Sequence, residues 1–252
     1  MLDRFDQRIL GGFRVVDHLT GATVRRGLRI TAPGLKIVQT GSGVWAVLET
    51  TGMRAYTRAF DPVPAQAPQV FAIQVHDDTK RFDPIAVTLS LPRDADSGAV
   101  DDRVDTPVEF ILPSAPGRGA QAGWSMVTVE VLTPQGAPVR GALVTILDQG
   151  TENERGWALT GQRGQAVVPL TGLAHMQDAP PPVDPDDDDL SPTVTANTKL
   201  DVRVAVDPTQ PWPANPAILR AGGGTLKTAA SANPITLKAG GEAHLGFTLS
   251  LS

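Results

Sequence analysis

Gly136-Ala137-Pro138-Val139-Arg140 repeats, 115 positions further on, the phrase Gly21-Ala22-Thr23-Val24-Arg25. A strand-like run precedes each copy and another follows it. Around the first copy these are Phe13-Arg14-Val15-Val16 and Leu28-Arg29-Ile30. Around the second they are Val127-Thr128-Val129-Glu130-Val131 and Ala142-Leu143-Val144-Thr145-Ile146. β-Branched side chains crowd a helix but suit a pleated surface. A glycine between two such runs supplies turn geometry. Each copy therefore reads as a hairpin corner, and its recurrence predicts two β-sandwich modules in tandem.

The flanking sequence extends this reading. In Ile85-Ala86-Val87-Thr88-Leu89-Ser90-Leu91 apolar residues alternate with small or polar ones, as on a strand with one buried face. Phe71, Ile73 and Val75 alternate likewise, and Trp45-Ala46-Val47-Leu48 is entered through the turn Thr40-Gly41-Ser42-Gly43. In the second half, Leu200, Val202, Val204 and Val206 share one face of a strand, as do Leu245, Phe247, Leu249 and Leu251. The 22 prolines and 25 glycines fit many short strands joined by turns. The best helical candidate is short, around Arg54 to Phe60. The expected fold is all-β, with two tandem antiparallel β-sandwich modules of immunoglobulin- or transthyretin-like type. Residues 1–92 form the first and 124–252 the second. A Pro/Gly/Asp-rich connector, 93–123, carries the short apolar segment Val108-Glu109-Phe110-Ile111-Leu112. Such a segment wants a docking site, so Phe110 and Leu112 are expected to add an edge strand to one module or to a partner. On that reading, Phe110→Asp leaves each module folded and abolishes assembly. Residues 174–198, with Pro180-Pro181-Pro182 and Asp186-Asp187-Asp188-Asp189, cannot bury themselves and are expected to form an exposed loop.

Composition narrows the function. No cysteine is present, which removes disulfides, thiol catalysis and Cys-ligated zinc. The start Met1-Leu2-Asp3-Arg4-Phe5-Asp6 has no apolar core of signal-peptide length. No run is long enough to span a membrane. Synthesis in the cytoplasm is expected, with later release or surface attachment as part of a particle. Residues 1–92 carry 11 basic and 8 acidic groups, 93–123 carry 3 and 6, and 124–252 carry 8 and 13, which sums to the net charge of −5. A chain this acidic, with one tyrosine, is a poor match for nucleic acid. Its basic first part could pair with an acidic protein neighbour.

No constellation of catalytic residues stands out. The run Asp184–Asp189 contains Pro185 but no glycine and no closing glutamate, so it reads as a solvated acidic loop rather than a calcium loop. His18, His76, His175 and His244 lack metal-ligand spacing. Gly41-Ser42-Gly43 and Gly222-Gly223-Gly224 read as turns, lacking the context of a nucleophile elbow or a phosphate loop. No catalytic residue, cofactor or metal is expected, and nothing in the composition calls for a small-molecule ligand. Trp45, Trp124, Trp157 and Trp212 could stack on sugars if their rings shared a surface. Trp212, flanked by Pro211 and Pro213, is expected to dock on a sandwich and is a candidate contact residue.

Gly136-Ala137-Pro138-Val139-Arg140-Gly141-Ala142, followed by Thr160-Gly161-Gln162-Arg163-Gly164, resembles the carboxypeptidase-regulatory-like, or transthyretin-like, β-sandwich family. This resemblance implies a fold and no activity. A second one rests on order along the chain. Arg81-Phe82-Asp83-Pro84 precedes a strand ending Leu89-Ser90-Leu91-Pro92-Arg93. Then come Phe110-Ile111-Leu112-Pro113-Ser114-Ala115-Pro116-Gly117-Arg118 and the regulatory-like module. That order is similar to accessory proteins encoded with phage-tail-like contractile injection systems. It implies a structural or baseplate subunit whose partners are other protein subunits. The alternative is a module that recognises a cell-surface glycan or protein.

Overall fold

The computed structural model describes residues 8–58, 66–93, 103–119, 121–173, 197–222 and 225–251. The acidic run 184–189, almost all of the 174–198 loop and the acidic start of the connector lie outside them. The described chain is all-β apart from two short helices. It divides into two compact units, Met1–Pro113 with Asn215–Ala217 and Ser114–Ala214 with Ile218–Ser252.

The first unit holds β1 (Gly11–Asp17), β2 (Leu28–Thr31), β3 (Leu35–Gln39), β4 (Val44–Thr50), α1 (Arg54–Arg58), β5 (Gln69–Asp77), β6 (Ile85–Leu91) and β7 (Val108–Leu112). Its sheets run β3-β4-β1-β7 and β2-β5-β6. The alternation in β6 does what its pattern predicts: Ile85, Leu89 and Leu91 are buried, whereas Thr88 and Ser90 face water. A one-residue slip would expose that whole set, so burial of one face sets the register.

The second unit holds β8 (Ser125–Leu132), β9 (Leu143–Asp148), β10 (Glu154–Leu159), β11 (Gln165–Leu170), β12 (Thr198–Val206), β13 (Lys227–Ala230), β14 (Ile235–Leu237) and β15 (Glu242–Thr248). The helix α2 (Pro216–Ala221) lies between β12 and β13. One sheet runs β11-β8-β15. The other runs β10-β9-β12-β13, with β14 also on β12. Val127, Val129 and Val131 from the first sheet join Val144, Ile146, Val202 and Val204 from the second in one apolar core. Two sheets sharing one core form a sandwich.

The repeated phrase is not a hairpin corner. β1 pairs with β4 and β7, whereas β2 pairs with β5. β8 pairs with β11 and β15, whereas β9 pairs with β10 and β12. In each unit the phrase carries the chain from one sheet to the other. A ladder begins and stops in both. The Val24 amide donates to Val15 O at 2.8 Å and the Asp17 amide to Ala22 O at 2.9 Å. Correspondingly, the Val139 amide donates to Val131 O at 2.9 Å and the Thr133 amide to Ala137 O at 2.8 Å. Gly21 (φ 65°) and Gly136 (φ 80°) supply the left-handed turn in the two copies. Beyond it, the apolar face of the next strand finds its partners in the opposite sheet.

The units share a second feature that local sequence does not announce. The last strand of each lies parallel to its first: β7 beside β1, and β15 beside β8. Most other pairs are antiparallel, as expected. The units differ in two places: β3 pairs with β4 whereas β10 pairs with β9, and β5 has one further partner, β6, where β12 has both β13 and β14.

Candidate functional site

Parallel pairing sets Phe110 opposite Val15 and Leu112 opposite Asp17. The Phe110 ring stacks on Phe13 with centroids 4.7 Å apart, and Phe13 stacks on Trp45 at 6.3 Å. Phe110 is 4% exposed and Leu112 fully buried. Both side chains are taken up by the core of their own unit, so neither offers a surface to a second chain. The other face of β7 carries Glu109, which pairs with Arg14, and Ile111, which is 40% exposed. Among the described strands β7 pairs only with β1, and β3, at the opposite edge, only with β4. Val38 on β3 is 46% exposed and sits opposite Ala46; Ile111 sits opposite Val16. Directly opposed residues share a face. Val38 and Ile111 therefore mark the two rims of the face turned away from Phe13 and Phe110.

In the second unit the motifs that carry the family resemblance converge. Thr160 is fully buried; its hydroxyl donates to Val139 O at 2.7 Å and accepts from the Ala142 amide at 2.9 Å. It thus clasps both ends of the Val139–Ala142 segment. Gly164 (φ 71°) lies so close that a Cβ there would stand 2.5 Å from Val131 O. The Trp212 ring covers Gly141, whose Cβ would meet Ala214 at 3.1 Å and Trp212 Cε3 at 3.5 Å. Trp212 is half-buried by this docking. Thr160→Val should cost about 2 to 4 kcal/mol, because the Ala142 N–H and the Val139 carbonyl both lose a buried partner. Urea unfolding of the two proteins measures this, and Thr160→Ser should recover most of the loss.

The remaining candidates scatter. Trp157 is buried beneath the Arg220 guanidinium (4.8 Å to the ring), which also pairs with Glu154 at 2.8 Å. Arg118 lies over Trp124 at 5.2 Å. No tryptophan among the described residues is exposed. No group of three metal-ligating side chains occurs among the described residues. Gly41-Ser42-Gly43 is the β3–β4 turn, where the Thr40 and Ser42 hydroxyls are hydrogen-bonded at 2.9 Å. Gly223 and Gly224 lie outside the described residues. Among those residues no helix is long and apolar enough to cross a membrane.

Two carboxylates stand out electrostatically. Burial pushes the Asp77 carboxyl up, but the Thr79 hydroxyl, the Thr79 and Arg81 amides and the Arg81 charge outweigh it and hold the pKa below the usual range. Asp83 is buried without such help, and desolvation raises its pKa to about 7. Its Oδ2 has no hydrogen-bond partner among the described residues. The sequence places Asp83 in the phrase that leads into the Ile85–Leu91 strand, and nothing local marks its carboxyl as buried.

No protein-family model and no curated protein matches the chain. A solved structure from work on conserved hydrophobic clusters on the Caf1A usher C-terminal domain, important for F1 antigen assembly, aligns at 14% identity. The alignment covers 49% of this chain and 94% of that one, with a TM-score of 0.23. A superposition that loose assigns neither fold nor partner.

Proposed function

We propose that the chain is a non-catalytic structural subunit of a phage-tail-like contractile injection particle, working through protein–protein contacts. The observation that carries this reading is the pair of edges, β3 and β7, that have no outer partner strand among the described residues of the β3-β4-β1-β7 sheet, with exposed Val38 and Ile111 at its rims. An open edge presents unpaired N–H and C=O groups to an incoming strand, and an apolar residue beside it adds burial. The particle itself is suggested by the ordered phrases Arg81–Pro84 and Phe110–Arg118. Two of these phrases meet within the first unit, where the Asp83 amide donates to Pro113 O at 3.0 Å. The glycan alternative needs clustered exposed rings, and every described tryptophan is buried or half-buried.

Sedimentation of native lysate, with mass spectrometry of the fractions, tests this. The chain should travel with sheath and tube proteins in a particle-sized fraction. A Val38→Lys/Ile111→Lys double variant alters only exposed positions, which usually shifts stability by under about 0.5 kcal/mol each. It should stay folded and migrate as a single chain. Migration of the unaltered protein at single-chain size would sink the proposal.

A further inference from the structure

One end of the first unit gathers three loops: the corner 20–27, the β3–β4 turn 40–43 and the β5–β6 turn 77–81. They are tied by specific contacts. The Asp78 amide donates to Gly27 O at 2.8 Å, and Gln39 Nε2 to Arg25 O at 2.9 Å. The Arg25 stem lies against Gly43, where a Cβ would stand 2.9 Å from its Cγ. Arg81 reaches Thr79 Oγ1 at 2.7 Å and Arg26 O at 3.4 Å. Five exposed cations result: Arg25, Arg26, Arg29, Lys80 and Arg81. Arg29 pairs with Asp78 at 3.3 Å and Arg81 with Asp77 at 3.5 Å. Among the described residues no carboxylate pairs with Arg25, Arg26 or Lys80. Lys80 is also held at φ 59°, a left-handed conformation that a lysine adopts at a cost. The equivalent corner of the second unit carries a single cation, Arg140.

We propose that this loop end is a docking surface for a carboxylate-rich stretch of a partner protein. Guanidinium groups on a braced backbone match carboxylates in geometry as well as charge, and bracing lowers the ordering cost of binding. A nucleic acid fits less well. Its bases want aromatic platforms, but Phe82, the aromatic ring nearest these loops in sequence, is 5% exposed. The chain's net charge of −5 also opposes a long polyanion. The surface adjoins the β3 edge at Gln39 but offers side chains instead of strand backbone, and stands whether or not the edges recruit a strand.

Fluorescence anisotropy tests it, using the full chain, a labelled short Asp/Glu peptide and labelled oligothymidylate. The peptide should bind saturably and more weakly as salt rises to about 0.15 M, where charges are screened beyond roughly 8 Å. Arg25→Glu with Arg26→Glu should weaken binding about tenfold or more. Lys80→Gly removes one charge at a backbone geometry glycine prefers, so it should weaken binding less while leaving the unfolding midpoint at least as high. The Val38→Lys/Ile111→Lys variant should still bind the peptide. Absence of peptide binding, equal affinity in the charge-reversed variant, or tighter binding of oligothymidylate than of peptide would each overturn the proposal.

Discussion

Phe110→Asp should unfold much of the first unit, with a loss above about 4 kcal/mol. Truncating a buried phenylalanine costs about 3 to 5 kcal/mol, and the new carboxylate must also leave water or take up a proton. Domains are stable by only about 5 to 15 kcal/mol, so a loss of this size is visible without denaturant. The stacking on Phe13 at 4.7 Å and the 4% exposure locate the cause in the unit's own core. This reverses the expectation that the substitution would spare folding and act only on assembly. Circular dichroism and urea titration provide the measurement, with Phe110→Leu as the milder comparison at about 1 kcal/mol. A Phe110→Asp protein with an unchanged midpoint would mean that the β7 side chains are not part of the core.

Asp83→Asn should remove a pH dependence that the unaltered protein shows between about pH 4 and 7. The carboxyl ionises near 3.8 in the unfolded chain and near 7 when folded. The unfolded chain therefore releases its proton first as pH rises. Stability is greatest below the unfolded value, falls by about 1.4 kcal/mol per pH unit through the window, and levels off above the folded value. Over some three units the loss approaches about 4 kcal/mol. Asparagine cannot ionise, so the variant carries at most a constant offset from its own buried amide. Urea midpoints for both proteins at several pH values decide the matter. A difference that does not change with pH would show that Asp83 ionises normally in the folded chain.

Several elements were legible because their information is local. The alternation in Ile85–Leu91 yields β6 with matching ends. The short helical candidate near Arg54 becomes α1. β3 is hidden in the sequence, although Leu35 and Ile37 alternate with Lys36. Five residues beside a proline-glycine turn look like part of that turn. Val108–Leu112 looks like part of a connector because acidic and Pro/Gly-rich stretches flank it, yet it is the parallel neighbour of β1. The anionic-partner surface left one trace, the excess of basic groups in residues 1–92. That count could not say that Arg25, Arg26 and Lys80 share one end of the unit.

Period-two burial belongs to the residues themselves, since successive side chains on a strand point to opposite faces. The β character, the buried set on each strand and the glycine-bearing corners therefore follow from reading along the chain. Pairing does not. A corner that folds back as a hairpin and one that crosses between sheets have the same local geometry. They differ only in which distant strand covers the next apolar face. The same holds for the parallel return of β7 and β15, the clasp of Thr160 on Val139 and Ala142, and the desolvation of Asp83. Each depends on groups brought together from far apart in sequence, and the folded packing of the unit chooses among the partners that local chemistry allows.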